Sequence, residues 1–265
     1  MLLAIDIGNT NIVVGIIKDD KILHEARIAT DRIKTSDQYG VDIKNILSLY
    51  DIKAKEIKDC IISSVVPPVF NSVRTGVMKV IHKEPLVVGP GMRTGQNIRT
   101  DIPSQVGSDR IVVAVAALAE YQPPLALLDL GTATTIDAVG PDGTYMGGTI
   151  GPGLQVSLDA LVSRTAMLPR VELQMPETVL GRNTVEQIQV GVVGGYVGNM
   201  EYLIRRTIQE MGYDNIKVIA TGGLSKLIAQ QTDYITHVDS GLTMEGLRLI
   251  FERNPGAKPV EIKNS

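Results

Sequence analysis

Residues 2–28, LLAIDIGNTNIVVGIIKDDKILHEARI, and residues 125–150, LALLDLGTATTIDAVGPDGTYMGGTI, carry one pattern twice. Each is an apolar run closed by an aspartate, a glycine turn with hydroxyl and amide side chains, a second apolar run, a polar turn and a third run. In the first copy, residues 2–6 read as a buried strand, 12–17 as the next, 18–21 as a turn and 22–28 as a third strand. In the second, 125–128 lead into Asp129, 135–139 follow, 141–144 (PDGT) turn and 145–150 return. The echo continues downstream. Residues 60–66 end in a polar-to-proline turn and 217–223 in a glycine pair, and apolar stretches at 85–88 and 234–238 follow them. Helical spacing or length marks 36–50, 69–81, 109–121 and 184–211. The expected fold class is α/β, with two domains of related topology.

The two Asp-Gly turns have a shared chemistry. Gly8 and Gly131 lack a Cβ, so the backbone can turn sharply and bring amide hydrogens against phosphate oxygens. Thr10, Thr132 and Thr134 add hydroxyl donors. Asp6 and Asp129 would repel phosphate, so they are suited to a cation, its water shell or an attacking group. One Asp-x-Gly alone is an ordinary turn. Two in matching surroundings, facing one cleft, suggest a nucleotide-handling protein.

Composition narrows the partners. The chain has 265 residues and 44% hydrophobic content, enough for a large core in one or two domains. A formal net charge of -3, no basic tract and 4% aromatic residues argue against nucleic acid. No apolar run reaches bilayer length, and Asp6 interrupts an N-terminus without a basic region, so neither a membrane span nor a secretory signal is expected. The single cysteine, Cys60, excludes an intrachain disulfide and fits a reducing cytoplasm, where it reads as a small core residue. Three histidines without His-x-x-x-His spacing do not suggest zinc. Residues 254–265 hold two prolines and a glycine and are expected to fray.

Three further segments carry candidate chemistry. Gly107-Ser108-Asp109-Arg110 opens a very apolar helix, where the dipole favours the Asp109 anion. Asp109 could accept a proton or hydrogen bond from a substrate hydroxyl while Arg110 clamps a carboxylate. The alternative is capping, with Ser108 as N-cap and Asp109 in the first turn. Gly147 to Gly153 (GGTIGPG) joins a strand to a helix running through Leu154, Leu158 and Leu161, either as a close approach to a ligand or another loop, or as a tight connection. Thr221-Gly222-Gly223 could admit a nucleoside against bare backbone, or simply enter a helix.

In this order the motifs Asp-x-Gly-Asn-Thr-Asn, Gly-x-Asp-Arg, Asp-x-Gly-Thr-Ala-Thr-Thr, Gly-Gly-x-Ile-x-Pro-Gly and Thr-Gly-Gly resemble type III pantothenate kinase, over residues 1–253. That family belongs to the acetate and sugar kinase, heat-shock ATPase and actin superfamily. The resemblance implies two duplicated ribonuclease-H-like domains with a cleft between them, here 1–105 and 106–253, with 254–265 as a flexible tail. It implies transfer of the γ-phosphoryl group of ATP to pantothenate, giving 4'-phosphopantothenate in the first step of coenzyme A synthesis. Asp6, Ile7, Gly8, Asn9, Thr10, Asn11, Ile12 and Val13 would form the first phosphate loop, with Asp6 near magnesium. Gly107, Ser108, Asp109 and Arg110 would meet pantothenate, Asp109 as catalytic base. Asp129 matches a position binding potassium or ammonium, and Thr132 one near ATP. Thr184 would be a further pantothenate contact, or the N-cap of its helix, or both. Gly222 and Gly223 would border adenosine.

Family members are cytoplasmic homodimers. Gly191, Gly194, Gly195 and Gly198 could let a helix approach a partner closely, although packing on their own sheet is the preferred explanation. One departure concerns Arg99-Thr100-Asp101-Ile102-Pro103: members often carry an aromatic before this turn, so Thr100 would alter one wall of the pantothenate pocket. Rival readings are another small-metabolite kinase or a polyphosphate-type phosphatase of the superfamily, a filament protein, or a non-catalytic regulatory relative. Intact Asp6, Asp109 and Asp129 argue against lost catalysis.

Overall fold

The computed structural model describes residues 1–256. In chain order its elements are β1 (Leu2–Ile7), β2 (Asn11–Lys18), β3 (Lys21–Ala29), α1 (Ser36–Leu49), β4 (Asp59–Ser64), α2 (Pro67–Ile81), β5 (Leu86–Val87), α3 (Ser108–Glu120), β6 (Leu125–Leu130), β7 (Ala133–Val139) and β8 (Tyr145–Pro152). There follow α4 (Leu154–Ser163), α5 (Thr184–Gln189), a π-helical turn (Val190–Gly194), α6 (Gly195–Met211), β9 (Lys217–Thr221), α7 (Ser225–Ala229), β10 (His237–Val238) and α8 (Leu242–Arg253).

Two five-stranded sheets have the same topology, β3-β2-β1-β4-β5 and, in the other, β8-β7-β6-β9-β10. In each, the first three strands form an antiparallel meander, and two parallel strands are added beside the first. The expected duplication is therefore present strand for strand. The β2–β3 hairpin closes through Asp19 and Asp20, both at positive φ, which aspartate tolerates better than most residues.

In the first sheet, alternate residues Leu3, Ile5 and Ile7 of β1 and Cys60 and Ile62 of β4 pack against α1 and α2. Gly40 and Gly76 let those helices meet backbone to backbone: a Cβ at Gly76 would lie 2.6 Å from the Ser36 carbonyl. Burial drives the Cys60 thiol far above its usual range, so this side chain is an inert core residue, as expected. The second sheet packs Ala126, Leu128, Leu130, Val218 and Ala220 against Val193, Val197 and Ile204 around α6.

The chain divides into two compact units that are not continuous in sequence. One comprises 1–96, 102–119 and 241–256 of the described residues; the other comprises 97–101 and 120–240. The expected boundary at 105/106 placed α3 with the second domain. Instead α3 is pinned to β4 by a hydroxyl pair, and α8 packs on it so closely that a Cβ at Gly246 would collide with the Val112 carbonyl. The helix α8 itself was not anticipated, although Leu242, Leu247 and Ile250 are fully buried along it. Part of the expected tail is also ordered. The Asn254 side chain accepts from the Arg93 N–H at 2.9 Å and donates to the carbonyls of Arg93 and Ile250 at 2.9 and 2.7 Å. Residues 257–265 lie outside the described residues.

Candidate active site

In the first unit, Asp6 closes β1 in register with Ser63 of the parallel strand β4. Neighbours in register share a sheet face. Because Ile5, Ile7 and Ile62 face α1 and α2, Asp6 and Ser63 face the side of α3 and α8. Ser63 is 0% exposed, and its hydroxyl lies 3.0 Å from that of Ser108. Ser108 spends its own hydrogen on the Ser64 carbonyl at 3.3 Å, so Ser63 is the donor between the two. The expected N-cap role of Ser108 is thereby overturned: its hydroxyl binds the strand, not the helix.

This pairing holds the first turn of α3, and with it Asp109, at the end of the sheet where Asp6 sits. Asp109 accepts the Arg110 N–H at 2.8 Å, so its carboxylate does meet one first-turn amide. Burial raises its pKa above the ordinary carboxylate range, and the Arg110 N–H and charge oppose that rise without cancelling it. Gly107 makes room, since any Cβ there would collide with Asp109 Oδ1. A carboxylate of raised basicity beside a guanidinium suits a base facing a hydroxyl of an anionic substrate.

The first glycine turn is closed by the Gly8 N–H donating to the Asn11 carbonyl at 3.0 Å. Asn9, Thr10 and Asn11 are exposed, whereas Ile7 and Ile12 are 0% exposed. Of the eight-residue loop expected from 6 to 13, the two isoleucines therefore offer a ligand only backbone. Thr30, which no motif marked, holds the turn from behind through the carbonyls of Gly8 and Thr10.

The second unit gathers Asp129, Thr132 and Gly222. Asp129 is in register with Thr135 of β7 and Thr221 of β9. Gly222 has φ of +90°, and a Cβ there would lie 2.5 Å from Asp129 Oδ1 and 2.7 Å from the Leu130 carbonyl. Only glycine allows this approach. The Gly131 N–H donates to Ala133, and the Gly153 N–H to the Thr132 carbonyl at 3.0 Å, so the end of β8 lies against the second glycine turn. A Cβ at Gly153 would collide with the carbonyls of Gly131 and Thr132. Gly153 is thus the close backbone approach left open by the sequence, and α4 begins there without a side-chain cap. Gly222 turns into α7, with Ser225 donating its hydroxyl to the Gly222 carbonyl at 2.8 Å; Gly223 is exposed.

Thr184 is the first residue of α5 and exposed, but it is not the cap. Asn183 is, accepting the Glu186 N–H at 3.0 Å. Residues 184–211 do not form one regular helix either: a π turn at Val190–Gly194 interrupts them. Just beyond it the Tyr196 hydroxyl lies 2.5 Å from that of Thr134, so this threonine is engaged with α6. Burial raises the Tyr196 phenol's pKa, the Thr134 bond opposes this, and the Asp129 charge adds to it. Thr100 lies half-buried next to β8, its methyl about van der Waals distance (4.0 Å) from where a Cβ of Gly147 would be. Its hydroxyl is enclosed without a hydrogen-bond partner among the described residues.

A family model for type III pantothenate kinase matches residues 2–206. The chain belongs to that family. It is 46% identical over 254 residues to a type III pantothenate kinase of Exiguobacterium sp. (strain ATCC BAA-1283 / AT1b), covering 96% of this chain and 99% of that protein. Among solved structures, a protein described as a Baf family transcriptional activator from Campylobacter jejuni superposes with a TM-score of 0.61 at 18% identity, covering 96% of this chain and all of that one. A protein described as a 2-dehydro-3-deoxygalactonokinase from Sinorhizobium meliloti superposes with a TM-score of 0.59 at 12% identity over the whole of both chains. At these identities the two structures speak for the fold, which is the duplicated one of sugar kinases and actin-like ATPases.

Proposed function

We propose that this type III pantothenate kinase transfers the γ-phosphoryl group of ATP to the primary hydroxyl of pantothenate, giving 4'-phosphopantothenate and ADP and opening coenzyme A synthesis. The observation that supports the reading best is Asp109: a carboxylate made more basic by burial, with the Arg110 guanidinium next in sequence. As the hydroxyl oxygen bonds to the γ-phosphorus and the bond to ADP breaks, the hydroxyl proton passes to Asp109. Arg110 takes the pantothenate carboxylate. Asn9 and Thr10 on one glycine turn, and Thr132 on the other, bind phosphate oxygens, while Gly222 and Gly223 border adenosine. Since the transition state is loose, positioning and fixed charge carry most of the acceleration.

The donor sets fit the cations this family implies. Asp129 lies against the Gly222 backbone near the Leu130 carbonyl, and these oxygens would suit potassium or ammonium. Among the described residues no group of three or more His, Cys, Asp and Glu side chains gathers, so magnesium held by Asp6 would complete its shell with phosphate and water. Such ions, when bound, would neutralise charge on the transferring phosphoryl group. The test is ADP release with ATP, magnesium and potassium, comparing pantothenate with sugars and short acids. Release with pantothenate alone supports the acceptor, and release with a sugar instead would move this chain to another small-metabolite kinase.

Ser63 should matter to this reaction. Ser63→Ala removes one buried hydrogen bond worth about 1 kcal/mol, and turnover should fall about fivefold as Asp109 loses its anchor, with KM for ATP unchanged. Steady-state kinetics against each substrate check this.

We also propose a homodimer, in the cytoplasm where ATP is supplied. No described helix is long and apolar enough to cross a membrane. The glycines 191, 195 and 198 are exposed, and a Cβ at any of them would meet nothing within 4 Å, so packing on their own sheet does not account for them. With Tyr202, 50% exposed, they follow a helical spacing along one side. Val179 and Leu180 are 73% and 85% exposed in the same unit. Sedimentation should give twice the monomer mass for the wild type, and monomers for Gly195→Arg. An unchanged dimer in that variant would place the interface elsewhere.

A further inference from the structure

Strand β3 ends at Ala29, yet the next two residues stay tied to the interior. Thr30 donates its N–H to the Thr10 carbonyl at 2.9 Å and its hydroxyl to the Gly8 carbonyl at 2.6 Å. Asp31 is fixed in turn by a buried phenol. Its N–H donates to Tyr39 Oη at 3.0 Å, and that hydroxyl donates to the Asp31 carbonyl at 2.6 Å. Tyr39 is 0% exposed and belongs to the core between β1, β2 and α1. The first glycine turn is thus braced by a threonine that is itself anchored through its neighbour to the buried core of the unit.

The brace has a directional consequence. In a trans peptide the C=O and the following N–H point to opposite sides. Holding the Gly8 carbonyl toward Thr30 therefore turns the Asn9 N–H away from Thr30, onto the exposed side of the turn. The turn is closed across its mouth by the bond from the Gly8 N–H to the Asn11 carbonyl, so Gly8 is held through both its N–H and its carbonyl. An outward amide fixed in advance spares an anion the cost of ordering the loop.

We propose that Thr30 is a positioning residue for the polyphosphate of the nucleotide, acting through the Gly8–Asn9 peptide, with Tyr39 as its anchor. The proposal rests on the reading of the first glycine turn as a phosphate loop. Thr30→Val keeps the shape and removes the hydroxyl: KM for ATP should rise about tenfold while KM for pantothenate stays within about twofold. Thr30→Ser should restore KM for ATP to near the wild-type value. Tyr39→Phe should shift it in the same direction by about threefold, since the hydroxyl acts one step removed. If Val and Ser behave alike, or if both KM values rise together as Tm falls, Thr30 is only structural and the proposal is overturned. Calorimetric titration with ATP in the absence of pantothenate separates this from the acceptor assignment. Weaker nucleotide binding by Thr30→Val would uphold the brace even if pantothenate proved the wrong acceptor, and unaltered binding would refute it even if pantothenate proved the right one.

Discussion

Asp109→Asn should lose about a thousandfold in turnover and keep a melting temperature at least equal to that of the wild type. The two halves of that outcome come from the same burial. An amide of equal size keeps the bond from the Arg110 N–H, which Asp109 accepts at 2.8 Å, but cannot take the proton of the attacking hydroxyl. The helix start is preserved because its other tie, from Ser108 to β4, does not involve residue 109. For stability the sign runs against the usual carboxylate. Burial raises the folded-state pKa, so the folded chain binds this proton more tightly than the unfolded chain does. Asp109 therefore favours folding when protonated and costs stability as pH rises through the raised value. At neutral pH the substitution removes that cost. Near-normal turnover with a lowered Tm would reduce Asp109 to a helix cap.

The same shift sets the pH dependence of the wild type. As the proposed base, Asp109 must be ionised to take the proton, so kcat/KM for pantothenate should climb with pH along an acid limb centred above the ordinary carboxylate range. Any residual activity of Asp109→Asn should lack that limb.

What could be read from the sequence was whatever is local. β1 and β6 are largely buried runs closed by an aspartate and a glycine turn, so they declare themselves, and the matching sheet orders follow from the repeated pattern. Hydrogen bonds between distant residues leave no such trace. Thr30 looks like the polar residue after a strand, and its bond to Gly8 spans 22 positions. Ser63 looks like the beginning of a proline turn, and its partner lies 45 residues away. A 3.6-residue period cannot reveal the π turn that interrupts 184–211. Which helix belongs to which unit is likewise a matter of tertiary packing. The close contact of Gly246 with Val112 brings α3 and α8 together, and the Ser63–Ser108 pair ties α3 to the first sheet. Asn183 rather than Thr184 caps α5 because the cap is set by which residue leaves helical φ and ψ, and both types cap well.

Asp129→Ala should cost about a hundredfold in kcat/KM for ATP and bring rates in potassium and in sodium to the same value. The carboxylate stands at the end of β6 with Gly222 packed on Oδ1 and Gly131 one residue beyond its neighbour, where the backbone offers oxygen and no other charged side chain is needed to balance a monovalent ion. Removing it leaves the strands paired, since register at this position is held by backbone to Thr135 and Thr221, so the loss should occur without a large fall in Tm. Gly222→Ala gives an independent approach to the same oxygen. At φ of +90° alanine is strained, and its Cβ would lie 2.5 Å from Asp129 Oδ1, so the carboxylate must swing away. That variant retains Asp129 and should nevertheless lose its preference for potassium. If Asp129→Ala is still activated by potassium, the cation is held elsewhere. If Asp129→Ala loses the preference and Gly222→Ala keeps it, the carboxylate acts by its charge and tolerates displacement. Loss in both would mean that the cation is recognised by the position of that carboxylate against the Gly222 backbone.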